Sequence, residues 1–295
     1  KAEKVALKTS SFKGWELVQS TARLCAMNMM LHGIADDESM PVTVSDSLAS
    51  DPGLRFDLVL TNPPFGKKSS TTIIGEDGQK SKEKDIVERD DFWATTSNKQ
   101  LNFMQHIKTL LKQNGRAAVV VPDNVLFEGG AGETIRRRIL HDCNVHTLLR
   151  LPTGLFYAQG VKANVLFLEK KPASETPWTK KLWIFDLRTN KHFTLKTSPL
   201  ARSDLDEFVA CYTAPQRSAT WSEENPEGAW RYYDYEELIA RDKASLDIFW
   251  LKDKSLEDSE NLPDPDVLAQ EIVEDLQTAL EQMREIASDM ETKVS

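Results

Sequence analysis

Cysteine is scarce in this sequence. Cys25, Cys143 and Cys211 are the only three in 295 residues. Odd in number, far apart and in no Cys-x-x-Cys pairing, they argue against a disulfide framework or a zinc site. They read as ordinary half-buried thiols. Long hydrophobic runs are missing too: no apolar stretch approaches the roughly eighteen residues of a membrane span, and the polar start, residues 1–9, is no signal peptide. The expectation is a cytoplasmic protein with no membrane partner. Positive charge is in deficit, with 37 Lys and Arg against 46 Asp and Glu, a net of -9. That deficit sits at one end, because residues 253–295 hold thirteen acidic side chains against Lys254, Arg284 and Lys293. Residues 1–252 are close to neutral, so a polyanionic partner remains compatible, with another protein supplying part of the phosphate-binding charge. Repeats and low-complexity tracts are absent. What is present, 40% hydrophobic against 28% charged residues, is enough for a packed core. The first residue is Lys, as expected of a fragment or a processed chain.

Apolar stretches and turn residues alternate in a βα rhythm. Residues 12–15 form a short apolar stretch closed by Glu16, and Leu17, Leu24, Met27 and Leu31 follow at helical spacing until His32-Gly33. Residues 42–44 and 56–60 predict further strands, ending at Ser45-Asp46 and at Thr61-Asn62. A helix over 99–111, a strand over 117–121, a helix over 132–141 and a strand over 145–149 continue the pattern. This is the rhythm of an α/β fold, a doubly wound, mostly parallel sheet covered by helices. Residues 163–168 follow Pro152-Thr153-Gly154 too soon for a crossover helix and predict a terminal antiparallel hairpin. Residues 67–96, rich in Ser, Thr, Lys and acids, read as a long loop. The division expected is a core over 1–170, an accessory α+β region over 171–262 and a C-terminal helix over 263–295. In the accessory region, residues 183–185 and 193–195 predict a small β pair, followed by a helix over 203–212.

The most informative residues are Asn62-Pro63-Pro64-Phe65, directly after a strand. In an open α/β sheet ligands sit beyond the carboxyl ends of strands, where this segment would lie. Neither proline has an N–H, and Pro64 holds Pro63 extended, so the backbone offers carbonyls in a fixed direction. An exocyclic amine such as adenine N6 is a poor nucleophile because its lone pair is delocalised into the ring. Acceptance of its two hydrogens by the Asn62 side chain and the Pro63 carbonyl would direct that lone pair at an electrophile. Phe65 offers a face on which an extruded base can stack. Two upstream strand ends carry Glu16, which can accept from both hydroxyls of a ribose, and Asp46, which can accept from an amino group. Taken bare, each feature also fits a strand-terminating turn or a solvated acid; three in succession point to a site.

These blocks resemble the N6-adenine DNA methyltransferases, most closely the modification (methylation) subunit of type I restriction-modification systems. The resemblance runs through Gly14-Trp15-Glu16-Leu17, Asn28-Met29-Met30-Leu31-His32-Gly33-Ile34, Asp46-Ser47-Leu48 and the stretch from Phe56 through Asn62-Pro63-Pro64-Phe65-Gly66. It continues in Val121-Pro122, residues 151–156, residues 161–167 and the late block Arg241-Asp242-Lys243-Ala244-Ser245-Leu246-Asp247. The resemblance implies S-adenosylmethionine as donor, bound by Glu16, Leu17, Asp46, Ser47 and Asn62, with Asn62, Pro63, Pro64 and Phe65 holding the target adenine. It implies double-stranded DNA with a flipped adenine as substrate, and a DNA-specificity subunit and a restriction (translocase/nuclease) subunit as partners. The glycine-rich donor turn that the resemblance places before Glu16 is absent from residues 1–15, so the chain from Lys1 alone is expected to bind the donor poorly or not at all, Glu16 and Asp46 holding only its adenosine end. An amino-group methyltransferase acting on protein glutamine or RNA, and a non-catalytic scaffold of the same fold, remain alternatives.

Three further features complete the reading. Lys67 and Lys68, just after the tetrapeptide, are candidates for DNA phosphate contacts, with a solvated loop the bland alternative. Gly129-Gly130 opens a helix carrying Arg136, Arg137 and Arg138, which reads as a glycine turn with a solvated basic face ahead of a phosphate site. His141, Cys143 and His146 straddle a helix end and a strand start without a fourth ligand, and no metal is expected. In the acidic tail, Val273, Leu276, Leu280, Met283, Ala287 and Met290 recur at alternating four and three residues, a heptad seam fit for a partner helix.

Overall fold

The computed structural model describes residues 11–36, 40–65, 70–74, 80–84, 86–156, 162–191, 193 and 198–252. Chain order runs β1 (Gly14–Glu16), α1 (Gln19–Leu31), β2 (Val42–Val44), β3 (Phe56–Thr61), β4 (Ser70–Ile74), β5 (Lys80–Lys84), α2 (Lys99–Leu110) and β6 (Leu111–Pro122). It continues through α3 (Asp123–Phe127), α4 (Ala131–Asp142), β7 (Cys143–Arg150), β8 (Ala163–Lys170), β9 (Lys181–Asp186), α5 (Asp206–Thr213), β10 (Trp230–Asp234) and α6 (Tyr235–Ala240). The βα alternation expected from residues 12–149 is therefore present. Among the described residues no helix is long and apolar enough to cross a membrane.

The sheet is mixed, which corrects the expectation of a mostly parallel one. Its six strands run in the order β10-β9-β7-β8-β6-β3. β3 pairs parallel with β6 and β7 parallel with β9, whereas β8 is antiparallel to both β6 and β7, and β10 is antiparallel to β9. The physical reason lies in β8: its return is too short for a crossover, and its buried Ala163, Leu166 and Leu168 suit an interior place between two partners, not an edge. The accessory strand at 183–185 also joins this sheet, paired with β7 and with Trp230–Asp234; residues 194 and 195 of its expected partner, 193–195, lie outside the described residues. The long loop expected over 67–96 contains the antiparallel pair β4–β5.

β1 and β2 form a separate parallel pair in which Glu16 lies opposite Val44. Trp15 meets Phe56 edge-on at 6.1 Å, so this pair adjoins the start of β3. The face of α1 picked out by Leu24, Met27 and Leu31 is exposed, and Ala22 is buried instead. Two three-residue strands give that helix a narrow floor.

One core cluster joins α2, β6, α4, β7 and β8 through residues such as Leu101, Val119, Leu140 and Leu148. A second, aromatic cluster gathers Phe185, Phe208 and Trp230 beneath Leu149 and Leu151, with Trp183 stacked on Trp230 at 5.2 Å. α2 starts where Asn98 accepts hydrogen bonds from the N–H groups of Gln100 and Leu101. The C-terminal helix expected over 263–295 lies outside the described residues.

Candidate active site

Glu16 and Asp46 stand at the carboxyl ends of adjacent parallel strands, and the Ser45 N–H donates to the Glu16 carbonyl at 3.1 Å. Each carboxylate accepts a backbone N–H two residues on: Glu16 Oε1 from Val18 and Asp46 Oδ1 from Leu48, both at 2.8 Å. These local turns fix the acids at the strand ends. The other oxygen of each takes no hydrogen bond among the described residues, so the pair retains acceptors suited to a ribose diol and an amino group. Leu17 and Ser47 border the two acids, Leu17 exposed and Ser47 half-buried.

β3 delivers the tetrapeptide. Thr61, its last residue, lies opposite Val119 of β6. Beyond it, Asn62 and Pro64 are exposed, Pro63 is buried and Phe65 is half-buried. Phe65 meets the ring of Phe156 edge-on, with centroids 5.3 Å apart and planes at 88°. Phe156 belongs to the segment leaving β7, so residues distant in sequence meet over the same edge of the sheet. Lys67 and Lys68 lie outside the described residues.

The same edge carries an ionic cluster that reasoning from sequence passed over. Asp123, directly after β6, takes a bidentate pair of hydrogen bonds from Arg188 at 2.9 Å each and a third from Asn164 at 2.8 Å. Burial alone would raise the Asp123 carboxyl, but these hydrogen bonds and the charges of Arg188 and Arg150 hold it below the usual range. At the end of β7, Arg150 donates to Asp247 at 2.6 Å and lies 3.9 Å from the ring of Phe249. Asp186-Leu187-Arg188 closes an apolar strand just as Glu16 and Asp46 do, and that signal could have singled it out.

Arg136 corrects the reading of a solvated basic face. It is 2% exposed and donates to the carbonyls of Val125, Glu128, Lys243 and Ala244. Burial lowers its pKa to about 10. Arg137 pairs with Glu133 at 2.8 Å, and only Arg138 of the three remains exposed. Cys143 lies in the core, where burial pushes its thiol up to about 12. His146 packs instead beside Phe167 and Tyr212.

The chain is similar to known proteins along most of its length. A family model described as N-6 DNA Methylase matches residues 1–244. The methylase subunit of the type I restriction enzyme EcoKI from Escherichia coli (strain K12) is 41% identical over 316 residues, covering 95% of this chain and 57% of that protein. The crystal structure of the EcoKI M protein superposes with a TM-score of 0.70 at 39% identity, over 95% of this chain and 61% of that one. A structure describing complex assembly and conformational transition of the type I R-M system gives 0.64 at 26% identity, over 99% and 57%. The chain spans about half the length of the curated relatives it matches. With the family match extending over residues 1–244 and strand ends bearing Glu16, Asp46 and Asn62-Pro63-Pro64-Phe65, the chain belongs to the N-6 DNA methylase family.

Proposed function

We propose that this chain is the catalytic part of a type I modification subunit, an adenine-specific DNA methyltransferase acting at sites chosen by a DNA-specificity subunit. Its donor is S-adenosylmethionine and its product N6-methyladenine; a restriction (translocase/nuclease) subunit is a further partner. The observation that carries the reading is the succession of Glu16, Asp46 and residues 62–65 at strand ends, in a chain 41% identical to the EcoKI methylase subunit.

In this reading Glu16 holds the donor's ribose hydroxyls, Asp46 its adenine amine, and Leu17 and Ser47 line the same end. Bound donor supplies a methyl group made electrophilic by a cationic sulfur. The chain's own contribution is orientation: Asn62 Oδ1 and the Pro63 carbonyl accept the two hydrogens of the target amine, leaving its lone pair free for the methyl carbon. Phe65 stacks on the extruded adenine. Lys67 and Lys68 are suited to adjoining phosphates. The exposure of Asn62 leaves its amide available to an incoming base.

Asn62→Ala in the full-length polypeptide, assembled with its specificity subunit, tests the assignment. Labelled methyl transfer into unmethylated host DNA is expected to fall by at least about 3 kcal/mol of transition-state stabilisation, with the melting temperature unchanged. Turnover near that of the wild type would overturn it. A panel offering RNA and protein alongside DNA fixes the substrate class, and transfer confined to either of the first two would replace DNA in the proposal.

A further inference from the structure

The guanidinium of Arg188 joins three strand ends at the edge of the sheet that carries Asn62 and Phe65. Its Nε donates to the Leu151 carbonyl at 3.0 Å. Nη1 and Nη2 grip both oxygens of Asp123, and Nη2 also reaches the Ala163 carbonyl at 3.1 Å and Asn164 Oδ1 at 3.2 Å. Asp123 continues from β6, the neighbour of β3; Leu151 continues from β7; Ala163 and Asn164 open β8. Arg188 is itself held in advance. Asp186 Oδ1 accepts from the N–H groups of Arg188 and Thr189, both at 2.8 Å, and its Oδ2 from the Thr189 hydroxyl at 2.9 Å.

The consequence runs through Leu151. Residues 151–156 leave β7 there, turn at Gly154 with φ +85°, and bring Phe156 against Phe65. Two anchors fix the start of this segment, the Leu151 N–H donating to the Ala163 carbonyl at 3.0 Å and the Leu151 carbonyl accepting from Arg188. Arg188 supplies the only side-chain donor at that point among the described hydrogen bonds, and it ties the segment to the strand beside β3. The side chains of Arg188 and Asp123 are 10% and 17% exposed, so their ion pair is shielded from water, and its geometry is that of a planar fork on a carboxylate.

The geometry points to Arg188 as a positioning residue of this site, the group that sets the aromatic pair of Phe65 and Phe156 by locking residues 151–156 to the end of β6. The inference rests on the proposed reading that residues 62–65 hold an extruded adenine. Arg188 touches neither donor nor base in it; its effect passes through the backbone it holds. A lysine keeps the charge but cannot grip Asp123 and the Leu151 carbonyl together.

The test uses the full-length methylase polypeptide in its complex with the specificity subunit, with a duplex carrying 2-aminopurine at an adenine mapped as methylated in host DNA for the fluorescence and the same duplex with adenine at that position for kcat. Arg188→Lys is expected to lose the fluorescence gain that accompanies extrusion and to lower kcat by about tenfold to a hundredfold, while donor affinity stays within about twofold. Asp123→Asn, which keeps the shape of the acceptor and removes its charge, is expected to do the same more mildly and serves if Arg188→Lys does not fold. Wild-type fluorescence and kcat in both variants would overturn the role of Arg188. So would equal losses of donor binding and turnover, which mark a general weakening of the fold. Asn62→Ala run alongside separates the two claims: near-wild-type turnover there overturns the reading of the site itself, whereas an inactive Asn62→Ala beside a fully active Arg188→Lys overturns only the positioning role.

Discussion

At the scale of single residues, two kinds of side chain carry the testable content. Phe65 is half-buried and held edge-on by Phe156, an arrangement that leaves ring surface for stacking. Phe65→Ala is expected to weaken retention of an extruded adenine by about 1–3 kcal/mol, read as a rise in Kd for a duplex with an abasic partner opposite the target. No loss of affinity would remove stacking from its role. His106 carries the second prediction. Burial, reinforced by the charge of Arg89 at 3.2 Å, lowers its pKa to about 4 from the 6.5 of an exposed histidine. The folded protein therefore keeps His106 neutral where the unfolded chain would already bind a proton. Its contribution to stability is complete above pH 6.5, declines as pH falls, and levels off near pH 4. The loss from this residue amounts to about 3 kcal/mol. Chemical denaturation between pH 7 and pH 5, above the carboxylate range, should show a shallower slope in His106→Asn than in the wild type; parallel slopes would contradict the assignment.

At the scale of elements, the decisive features are the junctions between segments far apart in sequence. The late block 241–247 is fastened by Arg136 of α4, whose guanidinium spans the carbonyls of Val125, Glu128, Lys243 and Ala244. Arg136→Met should cost about 3 kcal/mol, since burial would leave those carbonyls without their donor. Thermal melting measures that loss, and amide exchange should quicken first in residues 241–247; unchanged stability and exchange would mean the carbonyls find other donors. The βα alternation and the antiparallel return of β8 were legible in the sequence, because hydrophobic period and connection length determine them locally. The insertion of β8 between β6 and β7 was not. Which two strands flank a third depends on pairings between residues outside any local window, such as Val121 with Asn164 and Arg150 with Asn164.

At the scale of the whole molecule, charge is divided between a nearly neutral body and the acidic residues 253–295. Acidity of that degree would be repelled by DNA phosphates, so the heptad spacing of apolar residues from Val273 to Met290 in the sequence is expected to serve a protein partner. Deleting residues 266–295 from the full-length polypeptide is expected to weaken assembly with the specificity subunit while leaving the melting of residues 11–252 unchanged. Co-purification at undiminished affinity would assign the seam to an internal contact.

The sequence by itself determined which strand ends carry the proposed chemistry. Glu16, Asp46 and Asn62-Pro63-Pro64-Phe65 declare themselves because each follows a short β-rich run, and strand ends are local features readable from neighbouring residues. Only the tertiary structure decided what surrounds that chemistry. Arg136 looked solvated on its helix but is buried, because half of its carbonyl partners, Lys243 and Ala244, come from more than a hundred positions away. Phe156 and Arg188 reach the edge that bears Phe65 only because a mixed sheet brings the ends of β6, β7, β8 and β9 to one side. Side-chain burial and ion pairing are set by the order of strands in space, and that order is a property of the assembled sheet.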